Sequence, residues 1–301
     1  MRKGVRYWVL GNWFLLISIL LIFLSGCTLL GGKTVIIEKG TKALELSFVK
    51  DMPPYQTYED TRNAIAVYMK NVGATNIKEG IYSLNAPTQY IDVPESFGTF
   101  QLQGKQEGLP YGEEYQQQFL TQTKNLAAQQ QKIPLDISFT ACFPYKTHAG
   151  FSTCIDTDPT GIDKRKSCST LYISTSGGQG GPVVIKKIEP KMEIQKEGVI
   201  PVFDIYLRNE GGGIITSQKN FGDYCKGKQL PRQEIELSVL LADEKLECSK
   251  EKLELSSKES RINCRGREYS RKEGTFNALL VIDANYGYVQ TVAKQINVVK
   301  K

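Results

Sequence analysis

The chain has 301 residues, of which 41% are hydrophobic and 23% charged, so it can bury a core and is not a disordered protein. Its net charge is +6, but Arg2, Lys3 and Arg6 precede a long apolar run, which leaves 35 basic against 32 acidic residues. This near balance excludes a nucleic-acid-binding protein that depends on bulk charge. His148 is the only histidine, which excludes a histidine-rich metal site and argues against an enzyme.

The N-terminal segment, residues 1–27, has the pattern of a membrane-targeting sequence. Its centre, from Trp13 to Leu24, consists almost entirely of aromatic and aliphatic residues. A basic start followed by an apolar centre is typical of a signal peptide. The run ends in Leu24-Ser25-Gly26-Cys27, which resembles the lipobox of prokaryotic lipoproteins, and this resemblance implies that Cys27 carries a lipid. Residues 28–40 then form a tether.

Two other interpretations of this segment stay open. About 20 apolar residues span a bilayer, so the segment also suits an uncleaved helical anchor. Plain cleavage without lipidation is the third possibility. In each case the basic residues at the start stay in the cytoplasm, because positive charge is retained on that side. We therefore expect the rest of the chain on the extracytoplasmic face of the cell membrane, attached to the membrane by the N-terminal lipid or helix.

Cysteine usage indicates the same side of the membrane. An even number of cysteines suits three disulfides, which persist in oxidising surroundings. Spacing favours two bonds that each close a polar loop, Cys248–Cys264 and Cys154–Cys168, and this leaves Cys142 for Cys225. An alternative pairs Cys142 with Cys154 and Cys168 with Cys225. The six cysteines that remain beyond Cys27 are Cys142, Cys154, Cys168, Cys225, Cys248 and Cys264.

Short apolar or alternating runs, separated by turn residues, predict antiparallel strands along the rest of the chain. A turn is predicted over residues 145–150, and another at Asn285-Tyr286-Gly287-Tyr288, between the last two strands. The predicted strands are 43–49, 64–69, 115–121, 135–141, 183–188, 201–207, 235–241, 276–282 and 289–299.

An internal repeat divides the chain into two similar halves. Val67-Tyr68-Met69-Lys70-Asn71-Val72-Gly73-Ala74 matches Ile205-Tyr206-Leu207-Arg208-Asn209-Glu210-Gly211-Gly212, and Ala141-Cys142-Phe143-Pro144-Tyr145 matches Ala284-Asn285-Tyr286-Gly287-Tyr288. The similar offsets, 138 and 143 residues, indicate a duplicated domain. We expect a first domain over residues 41–176, a flexible Gly-rich linker over 177–182 and a second domain over 183–301.

The Tyr-x-basic-Asn-x-Gly pattern at Tyr68 and Tyr206 resembles immunoglobulin-like domains of the CARDB type. These are extracellular adhesion or presentation modules of archaeal and bacterial surface proteins. The lipobox, the two domains and the six cysteines together resemble archaeal cell-surface lipoproteins. The resemblance implies an all-β chain with two tandem immunoglobulin-like antiparallel β-sandwiches after the N-terminal hydrophobic helix.

One loop contains candidate metal ligands. Asp156-x-Asp158-x-Thr160-Gly161 resembles the start of a calcium loop, in which oxygens at alternate positions face one cation, and Asp163 adds another oxygen. No glutamate closes the loop at the twelfth position, which is Ser167. The sequence therefore favours a solvated loop over a calcium site, and it predicts no cofactor.

The motifs of common hydrolases are missing from the sequence. It contains no Gly-x-Ser-x-Gly, and a histidine-dependent triad would have to use His148. We therefore expect a membrane-anchored structural or interaction protein without catalytic activity, which binds a protein or surface polymer but no nucleic acid. One alternative is a subunit of a larger envelope or secretion assembly that pairs through strand edges. Another is a carboxylate- or metal-dependent extracellular enzyme or solute-binding protein.

Overall fold

In the part of the chain that the structure describes, the regular structure consists almost entirely of β-strands, so the all-β prediction is confirmed. A computed structural model describes residues 39–161, 166–229, 232–255 and 259–301. The strands of the first half are β1 (Leu44–Phe48), β2 (Gln56–Tyr58), β3 (Arg62–Asn71), β4 (Ile77–Asn85), β5 (Ile91–Asp92), β6 (Phe97–Leu102), β7 (Glu114–Thr123), β8 (Lys132–Ile155) and β9 (Ile173–Ser174).

The second half adds further strands and three short 3₁₀ helices within the described residues. Its strands are β10 (Val183–Ile194), β11 (Gly198–Asn209), β12 (Ile214–Thr216), β13 (Glu234–Leu241), β14 (Glu244–Lys245), β15 (Glu247–Cys248), β16 (Lys252–Glu254), β17 (Ser260–Arg265), β18 (Tyr269–Ser270) and β19 (Phe276–Val299). The 3₁₀ helices are Gln218–Asn220, Tyr224–Lys226 and Arg271–Glu273.

The described strands form three sheets. A four-stranded sheet of the first half has the order β1-β3-β7-β5, and a six-stranded sheet of the second half has the order β15-β17-β11-β10-β9, with β18 on β11. The third, called the central sheet here, has nine strands from both halves. Its order is β14-β13-β19-β8-β4-β6, and in addition β2 and β12 pair with β19 and β16 pairs with β13. Neighbouring strands run antiparallel, except that β2 runs parallel to β19.

Strands β8 and β19 form the middle of the central sheet and pair along 24 residues each. In this pairing, residues 143–145 lie opposite residues 286–288 in antiparallel order. The sequence repeat aligns the same two segments. Antiparallel pairing of equivalent segments requires a local two-fold axis, which passes through the Pro144–Gly287 pair. The repeat seen in the sequence is thus also a local symmetry of the β8–β19 pair.

The Asn-x-Gly turns have the same hydrogen bonds in both halves. The side-chain oxygen of Asn71 accepts from the N–H two residues later at 3.1 Å, and its amide nitrogen donates to the carbonyl four residues later at 2.9 Å. The corresponding distances for Asn209 are 3.2 and 2.8 Å. Each side chain satisfies backbone groups of the turn, which is the common role of asparagine after a strand.

The core lies between the central sheet and the other two sheets. Phe119 of β7 packs against Tyr82 of β4 and Phe139 of β8, with ring centroids 5.7 and 6.1 Å apart. Buried aliphatic residues of the second half, among them Ile205 and Ile262, belong to the same apolar cluster. Side chains alternate along a strand. The even-numbered residues of β8 therefore point to the opposite side of the central sheet, called the outer face here.

The two predicted turns over residues 145–150 and 285–288 are wrong. β8 continues through the first and β19 through the second, so residues 276–282 and 289–299 are one strand and not a hairpin. Gly287 has a packing role instead. A Cβ atom there would lie 2.7 Å from the side chains of Thr216, its partner on the neighbouring strand β12, and of Phe221. This glycine permits close approach and does not reverse the chain.

The Gly-rich segment 177–182 is packed and not solvated, in contrast to the flexible linker that the sequence predicts. Its residues from Gly178 onward are buried. The carbonyl of Gly180 accepts hydrogen bonds from the Ala74 N–H at 2.8 Å and the Tyr145 hydroxyl at 2.9 Å. Gly178 and Gly180 both have φ of +71°, a conformation that glycine adopts at little cost.

The sequence also predicts a division into two domains and an N-terminal helix. Because both halves contribute strands to the central sheet, residues of the two predicted domains share one hydrogen-bonded layer. The division into two immunoglobulin-like sandwiches stays a prediction. The predicted N-terminal helix lies outside the described residues, and in the part that the structure describes no helix is long and apolar enough to cross a membrane.

Candidate binding site on the outer face of the central sheet

The connection between β12 and β13 crosses the outer face of the central sheet. In the first half, the corresponding strand β4 runs without interruption. The connection between β12 and β13 is fixed to the sheet by the Cys142–Cys225 disulfide. Beside the bond, Phe221 packs with Ile81 and Val289 in a small apolar cluster that is separate from the main core. This segment, residues 217–229, is called the crossing segment.

A pocket of about 280 Å³ lies where the crossing segment meets the sheet. Tyr224 and Lys228 of the crossing segment form one side of it. Adjacent strands form the base, because Ser83 lies opposite Thr140, which in turn lies opposite Thr291. The hydroxyl and amide side chains of the base are Ser83, Asn85, Ser138, Thr140 and Thr291.

Most of these polar groups have no partner within the described residues. The hydroxyls of Ser83, Ser138 and Tyr224 and the amide of Asn85 form no hydrogen bond there, whereas Thr140 and Thr291 bond to each other at 3.0 Å. Ser83 is only 9% exposed. Asn85 and Tyr224 are exposed and Ser138 is half-buried, so their polar groups are available to a ligand that offers donors and acceptors.

The charges near the pocket are compensated. The ammonium of Lys228 lies 3.2 Å from a carboxylate oxygen of Asp223 in the same segment. The strand residues that form the base carry no charge. The pocket therefore presents neutral hydrogen-bonding groups and one aromatic ring, and it offers no uncompensated charge to attract an ionic ligand.

A cluster of three charged or titratable side chains lies on the same outer face, farther along β8 and β19. His148 and Asp283 are opposite each other, with His148 Nδ1 2.6 Å from a carboxylate oxygen, and Lys146 binds the other oxygen at 2.8 Å. Burial raises the pKa of Asp283, but hydrogen bonds from Lys146 and His148 lower it more, so it falls below its ordinary value. His148 is eight residues from Thr140, or about 26 Å along the strand.

The exposed face of the six-stranded sheet carries an ordered network around Asp204. This residue is only 3% exposed. Asn263 donates to one of its carboxylate oxygens at 2.9 Å and Lys191 to the other at 2.7 Å. These two hydrogen bonds, that of Asn263 first, hold the pKa of Asp204 below its ordinary value despite burial.

A neighbouring part of the same face is built around Lys187. Its ammonium lies 5.7 Å from the ring centre of Tyr172 and 5.4 Å from that of Tyr206. The Tyr206 hydroxyl donates to Glu189 at 3.0 Å. The hydrogen bond from Lys187 and that from Tyr206 both lower the pKa of Glu189. The charges of Lys187 and Glu189 therefore compensate each other on the sheet surface.

The candidate calcium ligands lie close together, but a lysine takes part in the group. The ammonium of Lys166 is 2.5 Å from Asp156 Oδ2 and 2.8 Å from the carbonyl of Asp158, and Thr160 donates to the Asp158 carboxylate at 2.8 Å. Asp163 lies outside the described residues. No cluster of three metal-binding side chains occurs among the residues that are described.

The six described cysteines form three disulfides: Cys142–Cys225, Cys154–Cys168 and Cys248–Cys264. This is the pairing that the sequence spacing ranks first. The predicted lipidation site, Cys27, lies outside the described residues.

Sequence reasoning missed the pocket. The alternation of polar with apolar residues at Ser83 and Asn85, and again at Ser138 and Thr140, was a usable signal, because it places these polar side chains on one face of adjacent strands. What the sequence does not reveal is that the crossing segment covers this face. Only the long-range Cys142–Cys225 bond hints at that contact.

Comparisons with other proteins give no family. No protein-family model and no curated protein matches the chain. Among solved structures it is similar to the sporulation control protein Spo0M of Bacillus subtilis, with 10% identity and a TM-score of 0.17, over 54% of this chain and 79% of that one. It is also similar to a structure described as BspA_C_WT, with 6% identity and a TM-score of 0.16, over 84% and 97%. Scores this low carry no argument about fold or function.

Proposed function

We propose that the protein is a membrane-anchored, extracytoplasmic binding protein without catalytic activity, and that it contacts its partner through the outer face of the central sheet. The observation that carries this proposal is the pocket beside Cys142–Cys225, in which the hydroxyls of Ser83, Ser138 and Tyr224 and the amide of Asn85 have no partner within the described residues. Free hydrogen-bonding groups in a recess on a rigid sheet are typical of a recognition site.

The proposed location rests on two features. Three disulfides indicate oxidising surroundings, which for a prokaryotic chain means the outside of the cytoplasmic membrane. The apolar segment that ends at Cys27 supplies an anchor, either as a lipid-bearing cysteine or as a helix. An anchored chain with a rigid exported part suits adhesion or presentation to a protein or a surface polymer.

The chemistry of the pocket favours binding over catalysis. General acid–base chemistry needs a titratable group within hydrogen-bonding distance of the reacting atoms. The side chains at the base of the pocket are hydroxyls and an amide, and of the two titratable side chains at its side, Tyr224 and Lys228, Lys228 is paired with Asp223. The His148–Asp283 pair is about 26 Å away along β8.

The proposal is tested by capture of an envelope component from the organism that makes the protein. The full chain, in detergent, is immobilised through a C-terminal tag and incubated with solubilised envelope. Wild type is compared with Ser138→Val, which removes a pocket hydroxyl, and with Ser152→Val. Ser152 is exposed on the outer face of the same strand, 14 residues from Ser138. We expect Ser138→Val to reduce retention of the captured component and Ser152→Val to leave it unchanged. Equal retention by all three chains would contradict the proposed site.

A second candidate, the assembly subunit, has support from β1. Among the described residues β1 pairs only with β3, and a groove of about 460 Å³ separates its other edge from β19. The amide of Val49 donates to the Ala66 carbonyl of β3, and the carbonyl of Ala43 accepts from Val72 and Gly73, which follow β3. By alternation, the amides of Leu44, Leu46 and Phe48 point to the open edge, where an added strand would bind them.

The edge is tested by Leu46→Pro, which removes one of the outward amides without removing a hydrogen bond to β3. If the protein is an assembly subunit that pairs through β1, the native complex extracted with mild detergent shrinks to the single chain in this variant. A complex of unchanged size contradicts pairing through β1. Ser138→Val serves as the control, because it leaves this edge intact.

A further inference from the structure

The pocket beside Cys142–Cys225 is lined by neutral hydroxyl and amide groups and one aromatic ring, and this combination favours one class of ligand. We infer that it binds a single neutral sugar residue, as the terminal or internal unit of a surface glycan. This inference rests on the proposed binding function and specifies the ligand of the same site.

The first argument is the arrangement of the polar groups. Ser83, Thr140 and Thr291 form a row across three adjacent strands, and Asn85 lies opposite Ser138 in the next row of the same face. Neighbouring strands are about 4.8 Å apart, and alternate residues of a strand are about 6.6 Å apart. The resulting grid of hydroxyl and amide groups has the width of one pyranose ring.

The second argument is hydrogen-bonding character. A serine hydroxyl both donates and accepts, and the asparagine amide offers one oxygen acceptor and two N–H donors. A sugar hydroxyl also donates and accepts, so each unpartnered group in the base can be satisfied whichever direction the bond takes. An ionised carboxylate only accepts, and the one cation that lines the pocket, Lys228, is already paired with Asp223.

The third argument is size and the aromatic side wall. A volume of about 280 Å³ corresponds to roughly nine water molecules at about 30 Å³ each, which accommodates one sugar ring but no extended chain. Tyr224 presents a ring at the side, and its hydroxyl has no partner within the described residues. Aromatic rings pack against the C–H face of a sugar while the strand residues bind its hydroxyls.

The fourth argument is preorganisation. Tyr224 begins the 3₁₀ helix Tyr224–Lys226, and the Gly227 N–H donates to the Tyr224 carbonyl at 3.0 Å. Gly227 has φ of +77°, and the next residue in the helix after Tyr224 is Cys225, which is bonded to the sheet. The side wall is therefore fixed before a ligand arrives, which lowers the entropic cost of binding.

The experiment uses the full chain with all three disulfides oxidised, in a detergent without a sugar head group, such as lauryldimethylamine oxide. D-glucose, D-galactose, D-mannose and N-acetyl-D-glucosamine are titrated separately, and binding is followed by saturation-transfer NMR. At least one of them is expected to bind saturably in the millimolar range. Loss of one hydrogen bond in Ser138→Val should weaken that binding about three- to tenfold, while Ser138→Thr keeps a hydroxyl and should restore it.

Ser152→Val is the matched control, with the same substitution on the same face of the same strand. The thermal midpoint of each variant is measured to show that the fold is kept. The assignment is overturned if none of the four sugars binds, if Ser152→Val weakens binding as much as Ser138→Val, or if D-glucuronate binds more tightly than the neutral sugars. Capture of an envelope component that depends on Ser138, together with no sugar binding, overturns the sugar and leaves the binding function in place. If the wild type captures no envelope component whose retention depends on Ser138, the binding function itself is overturned.

Discussion

The phenol oxygen of Tyr288 lies 2.6 Å from the backbone nitrogen of Gly213, whose N–H donates to it. In the other half, the Thr75 N–H donates to Tyr145 at 3.1 Å. The two donor residues are 138 positions apart and the two tyrosines 143 positions apart. These are the offsets of the two matches in the sequence repeat. Each half thus uses one buried tyrosine to fasten the turn after its Asn-x-Gly segment to a central strand. These contacts explain why the repeat includes both elements.

Tyr288→Phe should destabilise the protein by roughly 1–3 kcal/mol, because it leaves the Gly213 N–H without its partner while keeping the ring. Burial raises the pKa of Tyr288 to about 12, partly offset by this hydrogen bond, so the hydroxyl is neutral near pH 7. Urea unfolding of the full chain in detergent measures the change. Tyr68→Phe is the control: its hydroxyl donates to Glu114 at the surface, and we expect a loss below about 1 kcal/mol. Equal losses would contradict the role assigned to Tyr288.

Gly73→Ala should also be strongly destabilising. Gly73 follows Asn71 in the first half, and a Cβ atom there would lie 1.9 Å from the Tyr145 hydroxyl and 2.7 Å from the Gly180 carbonyl. Overpacking of a filled site costs about 1–3 kcal/mol or more, because neighbours must move. Gly150→Ala is the matched control, since its Cβ would meet only one atom, a side-chain carbon 3.4 Å away. Thermal unfolding should give a clear drop for Gly73→Ala and little change for Gly150→Ala. A tolerated alanine at position 73 would show that the turn can separate from the tyrosine.

Local sequence patterns predicted the strands in which apolar and polar residues alternate. Leu44, Leu46 and Phe48 alternate with polar residues, and β1 follows that alternation. The patterns failed at the centre of the molecule. Pro144 lacks an N–H and Gly287 lacks a side chain, so both indicate turns when read locally. In the structure they lie opposite each other on the local two-fold axis, in strands that the long β8–β19 pairing keeps extended.

The pocket could be predicted only in part, because its two sides come from distant parts of the chain. The polar faces of β4 and β8 are visible as alternation at Ser83 and Ser138. Tyr224 is more than 80 residues from Ser138, and nothing local places it there. The disulfide from Cys142 to Cys225 brings the two sides together. The number of cysteines alone does not predict this bond, because six cysteines can pair in fifteen ways.

The Asp204 network predicts a pH dependence of stability. Hydrogen bonds from Asn263 and Lys191 lower the pKa of this carboxyl, so its ionised form stabilises the folded state above the ordinary value of about 3.9. That contribution is lost as the pH falls through the lowered value. In Asp204→Asn, the free energy of unfolding at pH 7 should fall, and its further decrease between pH 4 and pH 2 should be smaller than in the wild type.

The measurement for Asp204 is urea unfolding at a series of acidic pH values. Asp136→Asn is the control, because Asp136 is an exposed carboxylate on the central sheet whose partner is the Gln295 amide at 3.1 Å. A steep acid dependence that Asp204→Asn leaves unchanged would show that other carboxyl groups control it.

The disulfides should differ in their effect on stability and on ligand binding. The Cys142–Cys225 bond spans 83 residues and Cys248–Cys264 spans 16. The loss of chain entropy in the unfolded state then stabilises the fold by about 4.6 and about 3.1 kcal/mol respectively. Replacing both cysteines of each bond by alanine should therefore cost more for the longer loop, as measured by urea unfolding. The first variant also frees the crossing segment and so should lose binding at the pocket, whereas the second keeps it. If the Cys142→Ala, Cys225→Ala variant retained full binding, the segment would be held in place by the packing of Phe221 on Ile81 and Val289 alone.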